Sequence, residues 1–418
     1  MIRTSSLANG MRVLTERIPH SISVSTGVWI LRGARGERAE SNGITHFVEH
    51  MVFKGTERRS ALEISREIES VGGALNAFTG KEFTCLYGRV LSKHLPLVLD
   101  LISDIFLHAV FPEEEIEKER QVILQEINMV EDSPEEFIHE LFSGSYWRGH
   151  PLGRSTLGTR ESVAGFEREG LTSHADLLRD PSRIILSAAG NLEHDDVVRM
   201  AEDLFVLPGP QADSPPQEKP SPHRGLELHL KALEQVHLCL GTLGYPYADE
   251  RRHAYHVLNT LLGGGMSSRL FQEIRENRGL AYSVYSFQSA YYDTGLLGVY
   301  VGTSREAMLQ VVQLIMEILA DLKKRPISGE ELRIAKEQLK GNLLLSTESS
   351  SNRMSKLAMN EVYFGKQLEL EEVIENIDRV SQEDVLAISQ DLFRPEVLSL
   401  TILGDVDRDS LARIHLEI

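Results

Sequence analysis

Two stretches of this chain repeat one ordering of apolar and polar positions. In the first, residues 83–91 (FTCLYGRVL) form an apolar run of strand length, followed by helical apolar spacing over 94–106 (HLPLVLDLISDIF). Residues 111–127 (FPEEEIEKERQVILQEI) then read as a second helix opened by Pro112 and a cluster of glutamates. The same order returns as 295–303 (GLLGVYVGT), 308–322 (MLQVVQLIMEILADL) and 325–343 (RPISGEELRIAKEQLKGNL). Setting Ile116 on Leu332 brings Ile123 onto Leu339 and Ile127 onto Leu343, a constant offset of 216 residues. An internal duplication accounts for this; two unrelated α/β domains are the alternative. Each copy runs strands first and packed helices after, which predicts an α+β fold of two homologous domains, each a mostly antiparallel sheet packed with helices.

Between the copies, residues 207–225 hold six of the chain's 15 prolines and almost no large apolar side chain. Such a stretch reads as a semi-extended linker. The expected division is a domain over 1–207, a Pro-rich linker over 208–224 and a second domain over 225–418. A length of 418 residues suits two cores better than one.

Charge narrows the partners. With 62 acidic against 44 basic residues the net charge is -18, a surface that repels phosphate backbones, so nucleic acid is excluded as a partner. Solubility explains that charge; an acidic chamber for basic peptides is the sharper alternative. No run of 18 apolar residues occurs, so no membrane insertion is expected. The N-terminus carries neither a signal-peptide apolar core nor a transit-type amphipathic helix. Cys85 and Cys239 stand far apart in strand-like runs and read as two buried thiols. A cytoplasmic protein is the resulting expectation.

The candidate chemistry begins in residues 42–56, NGITHFVEHMVFKGT. Gly43 and Gly55 bracket a predicted helix of about three turns. His46 and His50 lie one turn apart and share a face, as two ligands of one metal ion require. Glu49 is badly placed as a third ligand but within reach of a water at an open coordination position, the place of a general base. The bland alternative is a pair of histidines hydrogen-bonded on a half-buried helix. A third ligand must come from elsewhere. Glu119 and Glu126 lie two turns apart on the acidic helix, near its apolar side, where an unpaired carboxylate is costly. A metal ion would compensate one and a ligating histidine's ring N–H would orient the other. Their counterparts at the 216-residue offset are Ala335 and Asn342, and no His-x-x-Glu-His precedes them. One half therefore carries the chemistry and the other does not.

At this point the chain resembles the pitrilysin-type inverzincin zinc peptidases, in the branch with mitochondrial processing peptidase and its bacterial relatives. The resemblance rests on GITHFVEHMVFKGT, VGGALNAFTGKEFT, ERQVILQEI, HPLGRSTLG and GGGMSSRLFQEIRENRGLAYSV, in order along most of the chain. It implies a zinc-dependent endopeptidase with one Zn2+ per chain held by His46, His50 and Glu126, with Glu49 as base and Glu119 supporting a ligand. It also implies that an extended peptide substrate pairs with the strand around Asn76, Ala77 and Phe78, and that Arg275 and Tyr282 take part in catalysis at the scissile bond. An alternating, glycine-flanked segment can by itself accept a peptide by strand addition, though an ordinary core strand reads the same way. Two chains closing as a homodimer around a peptide chamber complete the implied picture, with Arg275 and Tyr282 serving the partner's zinc site. The chain departs from the family pattern at Thr45 and at Cys85-Leu86. The glycine-rich GGGMS at 263–267 follows no phosphate-binding strand and is read as a packing or peptide-facing loop. The rival readings are a non-catalytic peptide-binding subunit of this fold, a structural metal site, and an enzyme needing a different partner chain. A structural site would favour four ligands and several cysteines.

Overall fold

The computed structural model describes residues 1–207, 209 and 218–417. Most of the expected linker, Pro208 and residues 210–217, lies outside the described residues. The chain forms two compact units: residues 1–129, 154–217 and 346–367, and residues 130–153, 218–345 and 368–418.

The first unit is built on a six-stranded sheet. Its strands are β1 (Ile2–Ser6), β2 (Arg12–Arg17), β3 (Ser23–Ile30), β4 (Ala74–Thr79), β5 (Thr84–Leu91) and β6 (Ile184–Gly190), in the order β1-β2-β6-β3-β5-β4. Only β2 and β6 run parallel. The second unit holds β7 (Gly225–Leu230), β8 (Val236–Gly244), β9 (Ala281–Ala290), β10 (Gly295–Thr303) and β11 (Ser399–Gly404), in the order β7-β11-β8-β10-β9, with β7 and β11 parallel. With β1 removed, the two sheets have the same order and the same single parallel pair. Two mostly antiparallel sheets packed with helices are thus the fold expected from sequence.

Strands buried on both faces read as unbroken apolar runs. Every residue of β6 (IILSAAG) and of β10 (GLLGVYVGT) is buried. One face of each sheet carries helices of its own half, including Leu95–Leu107 in the first and Met308–Lys324 in the second. The opposite face is covered by a helix from the other half. Helix Ser350–Phe364 lays Met354, Leu357 and Ala358 against Leu14, Trp29, Cys85 and Ile185 of the first sheet. Helix Pro134–Tyr146 lays Ile138, Phe142 and Tyr146 against Cys239, Leu296 and Tyr300 of the second.

A glycine makes room each time. A Cβ on Gly27 of β3 would lie 2.8 Å from Met354 Sδ, and one on Gly241 of β8 would lie 2.5 Å from Phe142 Cζ. The compact units therefore do not follow the sequence halves, because 130–153 and 346–367 have changed places. Cys85 and Cys239 are free, buried thiols beneath these two exchanged helices. Among the described residues no helix is long and apolar enough to cross a membrane.

Candidate metal centre

The helix that carries His46, Glu49 and His50 spans Ile44–Met51. It is about two turns long, shorter than its sequence suggests. After Met51 the backbone tightens, with Phe53 N–H on His50 O (3.4 Å) and Lys54 N–H on Met51 O (3.0 Å), and Gly55 turns the chain at φ +120°. Ile44, Thr45, Phe47, Val48 and Met51 are buried, which leaves His46, Glu49 and His50 together on the half-buried side. Thr45, the departure from the family pattern, has its hydroxyl 2.9 Å from His174 Nε2. Burial, then the nearby Arg32 charge, pushes His174 down to about 4, so this contact is made by a neutral imidazole.

The acidic helix, Glu113–Asp132, brings up the carboxylates. Glu126 Oε2 lies 3.7 Å from His46 Nε2 and 3.6 Å from His50 Nε2. One donor atom from each of the three residues fits within 4.8 Å of the others. Ligands at about 2.0–2.1 Å in tetrahedral array stand roughly 3.3–3.5 Å apart, close to the spacing here. Glu126 Oε2 is buried and accepts no hydrogen bond. An ionised oxygen left bare between two imidazoles is an expensive arrangement unless a cation joins them. Burial, then the charge of His50, pushes His46 down to about 3, which keeps it in the neutral form that ligates. These residues fit a zinc ion.

Glu119 has a different task. Its Oε2 is 3.0 Å from His50 Nδ1 and its Oε1 is 2.6 Å from Lys54 Nζ. With both oxygens engaged, it holds the His50 proton on Nδ1 and leaves Nε2 with a free lone pair. Glu49 accepts a hydrogen bond from the Thr79 hydroxyl. Burial pushes its carboxyl above the ordinary range, and the Thr79 bond partly offsets this. A raised carboxyl is better matched to taking a proton near neutral pH.

Thr79 ends β4, the edge strand of the first sheet. Gly80 N–H bonds to Phe83 O across the turn. By antiparallel alternation, the backbone groups of Leu75, Ala77 and Thr79 then face the open edge. Asn76 Oδ1 takes the Ala77 N–H at 2.8 Å. Phe78 is 39% exposed, standing edge-on to Trp29, Phe83 and Tyr87. The three expected substrate-strand residues thus lie on an edge strand whose end is tied to Glu49, and of the three only Ala77 turns its backbone to the open side.

In the second unit, Arg275 lies on a π-helical turn, Phe271–Glu276, and Tyr282 at the start of β9. Arg275 Nη1 donates to Tyr282 O at 2.8 Å, and its guanidinium stacks 4.4 Å over the Tyr282 ring and 4.8 Å over Phe271. Tyr282 is 77% exposed. On helix Gly329–Ser346, Ala335 is buried where the first half has Glu119. Among the described residues, His46, His50 and Glu126 form the one group of three metal-binding side chains.

Three contributors carry no mark in the sequence. Lys54 follows the helix Ile44–Met51 with no spacing to single it out. Thr79 follows Asn76, Ala77 and Phe78 directly, but alternation does not say that its hydroxyl meets Glu49. Glu37, whose carboxylate accepts from Gly43 N–H and Thr45 N–H at the start of the helix Ile44–Met51, lies in an irregular stretch with no periodic signal.

Comparison with known proteins shows the family of the chain. A family model described as "Insulinase (Peptidase family M16)" matches residues 12–160, and one described as "Peptidase M16 inactive domain" matches 166–339. A Bacillus subtilis protein named "Uncharacterized zinc protease YmxG" is 42% identical over 393 residues, covering 94% of this chain and 96% of its own. The chain belongs to peptidase family M16. A Streptomyces coelicolor member, "Uncharacterized zinc protease SCO5738", is 38% identical over 99% of this chain and 92% of its own. The solved structure of a protease from Helicobacter pylori superimposes with a TM-score of 0.90 at 21% identity, over 97% of this chain and 99% of that one. The structure of a "peptidase M16 inactive domain" from Pseudomonas fluorescens gives 0.89 at 20% identity, over 96% and 98%. At those identities the likeness concerns the M16 fold alone.

Proposed function

We propose that this M16 chain is a zinc-dependent endopeptidase acting on small or unfolded polypeptides bound in extended form. The observation that carries this reading is the bare, buried Glu126 Oε2 facing His46 Nε2 and His50 Nε2 beside a raised Glu49 carboxyl. Zinc, when bound, supplies Lewis-acid polarisation of the scissile carbonyl and makes water more acidic. The protein's own groups do the rest. An extended peptide pairs with the open edge of β4, through the backbone of Leu75 and Thr79 and the carbonyl of Ala77, whose N–H is held by Asn76. Thr79 holds the Glu49 carboxylate in place. Glu49 takes a proton from the attacking water and returns it to the leaving amine. Tyr282 donates its hydroxyl to the developing oxyanion.

A purified preparation is expected to carry about one zinc per chain by elemental analysis. Chelation should abolish cleavage of a quenched peptide library, and added zinc should restore it. Zinc without cleavage would favour the peptide-binding-subunit reading or a missing different partner. A chain that takes up no zinc would leave the scaffold reading.

The assembly belongs to the same proposal: two copies form a homodimer enclosing a chamber, and Arg275 and Tyr282 of one chain serve the zinc site of the other. This part rests on the resemblance of residues 263–284 to processing-peptidase relatives. Chains carrying Glu49→Gln and chains carrying Arg275→Ala, each inactive alone, should recover part of the activity when mixed. Freely exchanging mixed dimers that stayed inactive would overturn the shared site.

A further inference from the structure

The short helix Ile44–Met51 holds two of the three candidate ligands and the base, yet its own N-terminus has no side-chain cap. Gly43 occupies the cap position at φ +91°, and no acidic residue lies in the first turn. The missing cap comes from seven residues before the helix. Glu37 Oε2 accepts from Gly43 N–H at 2.7 Å and from Asn42 Nδ2 at 3.1 Å, and Glu37 Oε1 accepts from Thr45 N–H at 2.9 Å. The carboxylate is buried, and its residue is anchored by Arg154 Nη1 on Glu37 O at 3.0 Å.

We propose that Glu37 is a positioning residue of the metal centre, setting both the location and the local field of the His46–His50 helix. This inference rests on the zinc-site reading above. Two physical effects support it. Both carboxylate oxygens are tied to the first backbone amides of an eight-residue helix, so a shift of Glu37 moves the whole element, and with it His46, Glu49 and His50 relative to Glu126. The second effect is charge. His46 is the third residue of the helix, so a cation held there sits near the positive end of the helix dipole. A buried carboxylate at that end cancels a field that would otherwise oppose the cation. A neutral cap would supply hydrogen bonds without that cancellation.

Apo-protein titrated with zinc against a competing chelator tests this. Glu37→Gln keeps the shape but loses the charge and turns an amide N–H toward a backbone N–H. Its zinc dissociation constant should rise about 10- to 100-fold, the range seen for groups that orient ligands. At saturating zinc its kcat should fall while KM stays near wild type, because β4 is untouched. Glu37→Asp, which retains the charge one methylene further back, should fall between the two, and it reads the same quantity should Glu37→Gln not fold. Ser60→Ala is the control: it removes the cap of helix Ala61–Ser70 and should lower thermal stability with no effect on zinc affinity. Wild-type zinc affinity in both Glu37 variants, or an equal loss in Ser60→Ala, would reduce Glu37 to a structural cap. If the wild-type chain bound no zinc, it is the metal-site reading that would fail.

Discussion

Glu49→Gln is expected to leave one zinc per chain in place while slowing peptide cleavage by about 10²- to 10⁴-fold, the usual worth of a positioned acid–base group. The substitution is nearly isosteric. A glutamine carbonyl can still accept the Thr79 hydroxyl that now bonds to Glu49. It cannot take a proton. The three candidate ligands belong to other side chains, so metal content should be unchanged. Elemental analysis and single-turnover cleavage of one fluorogenic peptide, on the same preparation, check both halves of the statement. Loss of zinc along with activity would make Glu49 part of the binding set. Normal cleavage would mean the base lies elsewhere.

Glu126→Ala should lose zinc and activity together, and Glu119→Gln should lose far less of both. The spacing of the acidic helix does not say which carboxylate binds metal, since both lie near its apolar side. The structure separates them by their partners. Glu119 is engaged by His50 Nδ1 and Lys54, whereas Glu126 Oε2 has no hydrogen-bond partner and faces both Nε2 atoms. Losing an orienting carboxylate costs about 10- to 100-fold in metal affinity or activity. Losing a direct ligand from a three-ligand site should exceed that. Competitive zinc titrations of the two variants decide the order. A larger loss in Glu119→Gln would exchange their assignments.

Much of this site was legible because it depends on helical periodicity. A four-residue separation places His46 beside His50 whatever the surrounding fold, and a seven-residue separation places Glu119 and Glu126 on one face. The duplication was legible for the same reason, since the apolar positions of Glu113–Asp132 and Gly329–Ser346 follow one period at a constant offset. Groups that act across chain distance left no such trace. Glu37 acts through backbone amides from an irregular stretch, and Lys54 reaches Glu119 across a separation of 65 residues (119 − 54). The exchange of helices between the compact units left no such trace either. Helix Pro134–Tyr146 has an obvious apolar face, but amphipathicity does not say which sheet it covers. The clue lay in the partner strands, where Gly27 and Gly241 leave room for Met354 and Phe142.

The exchanged helices change what the proline-rich tether is for. Each half of the sequence leaves one sheet face that only the other half's helix fills, so neither half holds a complete hydrophobic interior. A backbone opened between residues 209 and 218 would yield two pieces that still share two reciprocal helix–sheet contacts, at the loss of the high effective concentration that covalent connection provides. The duplication therefore did not simply join two free-standing domains end to end. It produced a molecule in which the half without candidate metal ligands supplies a structural layer to the half that has them, and the latter cannot shed its copy without exposing its own core.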